Sequence, residues 1–167
     1  MKIFIMNGQG GSGKTTFQNF VKEIAGEKDI GVAQISMVFF VKKIAQLYFG
    51  WKEDDKSPEA RLMLHRLKVL LDDWNGQPFK ITCEGIDAAL RDGAVVFADA
   101  REPKDIKALK EAYPEAVTVL VVRGEKKDYG NDADNGVFDY DYDMVIHNTS
   151  DIENLKHIAS VFVERMI

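Results

Sequence analysis

The sequence predicts an α/β fold in which a five-stranded parallel sheet lies between two layers of helices. Short apolar runs alternate with segments whose apolar residues recur at helical spacing, and this alternation is typical of a doubly wound sheet. The runs at 94–98 and 116–122 are apolar without interruption, which indicates strands that are buried on both faces. A length of 167 residues suits one domain with a sizeable core.

Turn-forming residues separate the predicted elements along the chain. Gly26 and Gly50 are the expected C-caps of the first two helices, Ser57-Pro58 offers an N-cap and an N1 proline, and Asn148–Ser150 can cap the last helix. The predicted strands, all short and apolar, cover residues 2–7, 31–36, 94–98, 116–122 and 143–146. The predicted helices, all with a helical apolar period, cover residues 14–26, 38–49, 58–73, 79–91, 103 onwards and 151–166.

Two segments are not explained by this alternation. Residues 38–91 are helical and too long for a plain crossover between two strands. We therefore expect a separate lobe there, at the carboxyl edge of the sheet, where α/β proteins bind ligands. Residues 124–142 are polar and contain glycine, and a loop of this length is often functional. We expect a lid over the ligand, although a disordered acidic loop would have the same composition.

Composition argues against several classes of function. A net charge of −5 disfavours a general nucleic-acid binder. The single cysteine, Cys83, excludes an intramolecular disulfide and a cysteine-based metal site, and its apolar neighbours predict a buried side chain. No apolar run reaches the roughly 18 residues of a membrane span, and the N-terminus lacks a signal-peptide pattern. We expect a cytoplasmic monomer or homodimer without nucleic-acid or membrane partners.

The most specific motif directly follows the first predicted strand. Residues 8–15 read GQGGSGKT and fit the phosphate-binding pattern G-x-x-x-x-G-K-[ST], placed between a strand and a helix start. Glycines allow successive N–H groups to point into one concavity, and the helix N-terminus adds partial positive charge. Lys14 supplies a full charge to the β- and γ-phosphates, and the Thr15 hydroxyl can ligate Mg²⁺. The residues expected to bind ATP are Gly8, Gly10, Gly11, Ser12, Gly13, Lys14, Thr15 and Thr16.

A second candidate group follows the predicted strand at 94–98. Asp99 lies at the end of that strand, the position from which a carboxylate reaches Mg²⁺ directly or through water. Arg101 lies two residues further and offers a planar fork that suits phosphate. The alternative is that Asp99 caps a turn and Arg101 is a solvated charge. The presence of the phosphate-binding loop favours the functional interpretation of both residues.

The remaining cations are weaker candidates, because each alone is more often a surface charge. The candidates in the helical segment are Lys42, Lys43, Arg61 and Arg66, and helical spacing does not place either pair on one face. The candidates at the start of the polar segment, which could bring positive charge to a triphosphate, are Arg123, Lys126 and Lys127.

Together these residues resemble the nucleoside monophosphate kinase branch of P-loop proteins. The chain looks closest to the deoxynucleoside monophosphate kinases of bacteriophages and bacteria, and is also similar to the phosphomevalonate kinases of animals. Residues 36–51 resemble the family segment that ends in Phe-Gly-Trp, with Lys42 on the family's lysine. Residues 99–101 resemble its Asp-x-Arg, and residues 143–148 its closing Asp-x-Val-Ile-x-Asn. Arg61 falls roughly where the family carries a substrate-binding arginine.

The resemblance implies a transferase that moves the γ-phosphoryl group of ATP to a (deoxy)nucleoside monophosphate, with Mg²⁺ as cofactor. The expected catalytic residues are Lys14, Arg101 and Arg123; the expected substrate-binding residues are Lys42, Arg61, Asp99 and Arg101; the expected metal ligands are Thr15 and Asp99. One alternative is a kinase for a phosphorylated metabolite that is not a nucleotide, such as an isoprenoid precursor or a sugar. Another is a catalytically silent nucleotide-binding module. A base pocket built from Phe39, Phe40 or Tyr48 would favour a nucleotide acceptor.

Overall fold

The computed structural model describes residues 2–55, 57–124 and 136–167. Within these residues a five-stranded parallel sheet has the order β2-β3-β1-β4-β5, and helices cover both of its faces, which confirms the predicted α/β fold. The strands are β1 (Ile3–Asn7), β2 (Val32–Ser36), β3 (Val95–Asp99), β4 (Val117–Val122) and β5 (Met144–His147). The helices are α1 (Lys14–Gly26), α2 (Phe39–Phe49), α3 (Pro58–Asn75), α4 (Gln77–Arg91), α5 (Pro103–Ala112) and α6 (Ile152–Met166).

The central strand β1 sets the position of the candidate site. Met6 pairs with Asp99 of β3 on one side and with Val119 of β4 on the other. Asp99 in turn pairs with Ser36 at the end of β2. Because parallel strands end at the same edge, the glycine-rich turn after β1 and the loop after β3 meet there.

Alternate side chains of the strands enter two cores, one on each face of the sheet. On the first face, α1 and α6 cover the sheet, and the Phe162 ring lies 4.8 Å from that of Phe4 and 5.3 Å from that of Phe17, centroid to centroid. On the second face, Ile5 packs among residues of α4 and α5, including Ile86 and Ile106. Both faces are therefore buried, which explains why the central strands are apolar without interruption.

The helical segment between β2 and β3 divides into two parts, which differs from the single lobe expected at 38–91. Helix α4 belongs to the core of the second face, where Phe79, Cys83 and Ile86 pack against the sheet, so it serves as the crossover helix. Helices α2 and α3 share a smaller core formed by Ala45, Trp51 and Ala60. The lobe is therefore limited to α2 and α3. Cys83 is partly buried in the main core, and burial raises the pKa of its thiol.

Some helix ends also differ from the prediction. The C-cap of α1 is Glu27, and Gly26 is instead the last residue of that helix. Helix α4 begins at Gln77 rather than at 79, because Pro78 fits the first helical turn and Asn75 Oδ1 accepts a hydrogen bond from the Gln77 amide. The N-cap of α6 is Asp151, whose side chain accepts from the Asn154 amide at 2.9 Å, and not the segment Asn148–Ser150. Asn148 is buried and has another role, described below.

The polar segment predicted as a lid at 124–142 lies largely outside the described residues, because residues 125–135 are not among them. After this gap the chain forms a 3₁₀ turn at Gly136–Phe138 and continues into β5. Among the described residues, no helix combines the length and the apolar character needed to cross a membrane.

Candidate active site

The glycine-rich turn after β1 requires glycine at specific positions. Gly11 and Gly13 have φ angles of +78° and +90°, a region that side-chain-bearing residues rarely adopt. A Cβ atom on Gly8 would lie 2.6 Å from Ser12 Oγ and 2.7 Å from the Val121 carbonyl oxygen. A Cβ atom on Gly13 would lie 2.4 Å from Asn148 Nδ2. The turn is therefore fixed by close packing as well as by backbone conformation.

Asn148 holds this turn from the end of β5. Its side chain is buried, and Nδ2 donates to the Ser12 carbonyl oxygen at 2.9 Å. The Asn148 amide donates to the Val122 carbonyl oxygen at 2.8 Å, so the residue is itself anchored to β4. Gly13 must lack a side chain because the Asn148 amide group occupies that space. Sequence reasoning noted Asn148 only as part of a family motif and as a helix cap.

The turn leads into a helix start that is suited to an anion. Gly13 is the N-cap of α1, it provides no side-chain cap, and the first turn contains no acidic residue. The first N–H groups of α1 are thus not capped by a carboxylate or hydroxyl, and the helix dipole favours negative charge there. Ser12 Oγ is buried without a hydrogen-bond partner among the described residues. These features fit the phosphates of a nucleoside triphosphate.

Lys14 and Asp99 lie side by side at the mouth of this turn. Lys14 Nζ is 2.7 Å from Asp99 Oδ2, and Gln18 Nε2 donates to Asp99 Oδ1 at 2.7 Å. Gln18 is fully buried one helical turn after Lys14, so it fixes the orientation of the carboxylate. Lys14 and Asp99 remain partly accessible, with side-chain exposures of 14% and 27%. Thr15 is exposed at the same helix start.

Arg101 lies two residues beyond Asp99, and its backbone is tied to the glycine-rich turn by Asn7. Asn7 Nδ2 donates to the Arg101 carbonyl oxygen at 3.0 Å, and Asn7 Oδ1 accepts from the Gly8 amide at 2.8 Å. Asn7 Nδ2 also donates to the Tyr142 hydroxyl at 2.7 Å, which in turn donates to the Val137 carbonyl oxygen at 2.8 Å. Burial raises the pKa of Tyr142 to about 12, so its hydroxyl stays protonated at neutral pH.

The other predicted cations lie on different elements. On α2, the Nζ of Lys42 lies 5.8 Å from the centroid of the Trp51 ring, within cation–π range, and the Nζ of Lys43 lies 5.6 Å from that of Phe39. Arg61 is exposed in the first turn of α3, and Arg123 is exposed directly after β4. Their contact with an acceptor remains a prediction. Arg66 is exposed on α3, whereas Lys126 and Lys127 lie outside the described residues.

The oxygen-bearing side chains at this edge of the sheet suit a Mg²⁺ ion that is bound partly by the protein and partly by a nucleotide. In the ranges 2–55, 57–124 and 136–167, no group of three or more His, Cys, Asp or Glu side chains could enclose a metal ion alone. Thr15 and Asp99 supply a hydroxyl and a carboxylate, and Mg²⁺ usually completes its shell with phosphate oxygens and water. These two residues are therefore suited to an ion that arrives with a nucleotide.

Several solved structures are similar to this chain over nearly its whole length. Shikimate kinase from Aquifex aeolicus is 15% identical, with a TM-score of 0.51 and coverage of 98% of this chain and 96% of that chain. The Mycobacterium tuberculosis APS kinase, in complex with AMPPNP and APS, is 13% identical, with a TM-score of 0.50 and coverage of 98% and 97%. A sugar kinase from Janibacter sp. is 17% identical, with a TM-score of 0.49 and coverage of 99% and 96%.

No protein-family model matches the chain, and the comparison with curated proteins finds no match. At identities of 13% and 15%, the similarity to shikimate kinase and APS kinase is informative about architecture only. The chain has the three-layer α/β/α fold of these P-loop kinases.

Proposed function

We propose that the protein is an ATP-dependent small-molecule kinase that transfers the γ-phosphoryl group to a (deoxy)nucleoside monophosphate. The observation that supports this most directly is the Lys14–Asp99 pair, separated by 2.7 Å at the mouth of a glycine-rich turn. A phosphate-binding lysine beside a candidate Mg²⁺ carboxylate is the combination that phosphoryl transfer from MgATP requires.

The donor half of the proposed site consists of residues 8–16. Backbone N–H groups of the turn and the start of α1 would bind the phosphates, and Lys14 would neutralise charge on the β- and γ-phosphates. Thr15 and Asp99 would hold Mg²⁺, which would offset negative charge on the phosphates when bound. Gln18 would keep Asp99 in place, since it donates to Oδ1 and leaves Oδ2 facing Lys14.

The acceptor half is proposed from charge and position. Arg101 follows Asp99 by two residues, at the same edge of the sheet, and its planar guanidinium suits an acceptor phosphate. Lys42 and Arg61 in the α2–α3 lobe would bind the same phosphate, and Arg123 would stabilise the transferring group. Because an acceptor phosphate is already anionic at neutral pH, the reaction needs positioning and charge neutralisation rather than a strong general base.

A second candidate is a kinase whose acceptor is not a nucleotide. The exposure of two expected base-pocket residues favours it: Phe39 is 56% exposed and Tyr48 is 78% exposed. Stacking on a nucleobase requires an enclosed aromatic face, which neither side chain forms as it stands.

One experiment separates these proposals. ADP formation is measured with MgATP and a panel of acceptors, comprising ribo- and deoxynucleoside monophosphates, phosphorylated isoprenoid precursors and sugars. Turnover with a nucleoside monophosphate supports the first proposal, and turnover only with another acceptor supports the second. MgATP binding by calorimetry without ADP formation from any acceptor would contradict both, and would support a silent nucleotide-binding module.

A further inference from the structure

A buried lysine at the junction between the α2–α3 lobe and the sheet has no part in the site described so far. Lys68 is only 4% exposed, although lysine is rarely buried without partners. Its Nζ lies 2.7 Å from Asp72 Oδ2, 3.0 Å from Asp105 Oδ2 and 3.2 Å from Glu102 Oε1. We call Lys68 and these three carboxylates the Lys68 cluster.

The Lys68 cluster joins two elements that belong to different parts of the molecule. Lys68 and Asp72 lie on α3 of the lobe, one helical turn apart. Glu102 is the N-cap residue of α5, and Asp105 lies in its first turn. The same helix start makes its own backbone bonds, since the amides of Asp105 and Ile106 donate to the Glu102 carbonyl oxygen at 2.9 and 3.1 Å. Lys68 therefore fixes the start of α5 to the lobe.

The three carboxylates of the cluster keep Lys68 in its charged form. Burial alone would lower the pKa of Lys68, but hydrogen bonding to Asp72 and the charges of Asp105 and Glu102 together raise it above its ordinary value. Lys68 thus stays charged at neutral pH. Three carboxylates converge on this one ammonium. Loss of the lysine would leave the buried Asp105 without its cation, and would leave Asp72 and Glu102 with only the exposed Lys104.

The residue immediately before this helix start is Arg101. Its carbonyl oxygen is held by Asn7 of β1 at 3.0 Å, and the next side chain, Glu102, is held by Lys68 of α3. The backbone around Arg101 is therefore fixed from the sheet on one side and from the lobe on the other. A displacement of α3 would be transmitted to Arg101 through Glu102.

We infer that Lys68 is a positioning residue, which holds Glu102 so that Arg101 is correctly placed for the acceptor phosphate. The inference rests on the proposed kinase function, in which Arg101 binds the acceptor. Lys68 itself would contact neither substrate. The inference also explains why the junction is ionic, because an apolar contact would join α3 and α5 without fixing the direction of one side chain.

The chain offers a matched control in Lys104. Its Nζ lies 3.1 Å from Glu102 Oε2 and 3.7 Å from Asp72 Oδ2, so it contacts two of the same carboxylates, but its side chain is 59% exposed. An exposed ion pair of this kind contributes little, because water screens it. The variants are Lys68→Met, Lys104→Met and the milder Glu102→Gln. The last keeps an oxygen for Lys68 but replaces the ammonium–carboxylate ion pair with a hydrogen bond from the ammonium to an uncharged amide oxygen.

The first measurement is hydrogen exchange of the full-length protein, which does not depend on catalysis. We expect faster amide exchange at residues 100–106 in Lys68→Met, unchanged exchange at β1, and wild-type exchange in Lys104→Met. If Lys68→Met does not fold, Glu102→Gln is measured in its place, with a smaller increase expected at the same residues. Wild-type exchange at 100–106, or an equal increase throughout the protein, would overturn the inference.

The second measurement is the kinetics of the best acceptor. Lys68→Met should raise the acceptor KM about tenfold while the ATP KM stays within about twofold. In an Arg101→Ala background, the same substitution should have little further effect, because both changes act through one side chain. Additive effects, or an equal rise in both KM values, would show a general structural role instead. If the wild type has no activity with any acceptor, the proposed function fails, and the exchange data still decide whether Lys68 positions residues 100–106.

Discussion

Lys14 and Asp99 neutralise each other's charge through one direct ion pair. The 2.7 Å ion pair places a positive and a negative side chain next to the glycine-rich turn that we propose binds phosphate. Triphosphate oxygens attract the lysine, and a divalent ion attracts the carboxylate, so MgATP can satisfy both groups when it separates them. The pair therefore prevents either charge from being left uncompensated before the nucleotide binds.

The first prediction concerns these two charges. Lys14→Met and Asp99→Asn should each lower kcat/KM by about 100-fold or more, because in the proposed mechanism Lys14 neutralises phosphate charge and Asp99 holds Mg²⁺. Steady-state kinetics with saturating Mg²⁺ measure the effect. Lys22→Met is the control, because Lys22 is an exposed lysine on the same helix. Activity of Lys14→Met close to that of the control would contradict the assignment.

The second prediction separates backbone strain from crowding in the glycine-rich turn. Gly11→Ala and Gly13→Ala both force alanine into a positive-φ conformation, at a cost of roughly 1–2 kcal/mol. Only Gly13→Ala also places a Cβ atom 2.4 Å from Asn148 Nδ2, whereas Gly11 has no atom within 4 Å of that position. We expect Gly13→Ala to lose about 1–3 kcal/mol more of the free energy of unfolding, measured by urea denaturation. Equal losses would mean that Asn148 moves away freely.

At the scale of elements, the edge strand β5 is attached to β4 by a side chain as well as by the sheet. Asp143 Oδ2 accepts from the Thr118 amide at 2.9 Å and from its hydroxyl at 3.0 Å, and it lies 3.3 Å from Lys110 Nζ. The Thr118 backbone hydrogen bond is the main cause that lowers the pKa of Asp143 below its ordinary value of 3.8. The ionised carboxylate thus stabilises the start of β5.

The third prediction follows from the sign of this shift. A carboxyl group whose pKa is lower in the folded than in the unfolded protein stabilises the fold above the unfolded value, and this contribution is lost as pH falls through the folded value. The difference in unfolding free energy between the wild type and Asp143→Asn should therefore be largest near about pH 6 and shrink below about pH 4. Because the Asp143 side chain is 49% exposed, the effect should be small. A pH-independent difference in urea denaturation would contradict the prediction.

Local sequence was sufficient to predict the elements and to identify candidate residues for the donor half of the site. The glycine-rich turn is predictable because the pattern, the preceding strand and the following helix are contiguous. Asp99 is predictable because the carboxyl end of a buried parallel strand is a known position for ligand-binding groups. Helix α4 was expected in the lobe at 38–91 but packs on the sheet, because periodicity shows that a helix has an apolar face but not which surface that face meets.

The remaining contacts could not be predicted, because their partners are distant in sequence. Asn7 and Tyr142 are 135 residues apart, and Lys68 and Asp105 are 37 apart. The spacing of Lys68 and Asp72 suggests an ordinary surface pair, and only the tertiary structure buries it. Lys42 and Arg61, proposed for the acceptor, and Arg123, proposed for the transferring group, stay predictions, because they lie on α2, on α3 and after β4.

At the scale of the whole molecule, the chain combines a large sheet with a small lobe. The sheet has two extensive cores, whereas the α2–α3 lobe has a core of Ala45, Trp51 and Ala60 with a few partly buried neighbours. Elements with few buried apolar contacts open at a lower free energy than core strands do. Local opening of the α2–α3 lobe should therefore cost less free energy than opening of the sheet that holds the glycine-rich turn.

The fourth prediction concerns the effect of MgATP on the stability of the whole fold. A ligand that binds only the folded state raises the free energy of unfolding by about 2.7 kcal/mol at a concentration of 100 times its Kd. We expect MgATP to raise the melting temperature of the wild type in a concentration-dependent way, and to have a much weaker effect on Lys14→Met. Scanning calorimetry provides the measurement, with Lys22→Met as control. An equal shift in both variants would place the nucleotide elsewhere.

The order of strands has a consequence for how the protein is made. Of the five strands in this sheet β1 is synthesised first, but its neighbours are β3 and β4, so Ile3 pairs with Val96 and Phe4 with Val117. The centre of the sheet cannot form until well over half of the chain has been synthesised, and parallel pairing over such separations is slow. The glycine-rich turn is thus translated well before the residue that holds it, and it acquires its final shape only after Asn148 emerges. During translation the apolar side chains of β1 therefore stay without their sheet partners until β3 and β4 have been made.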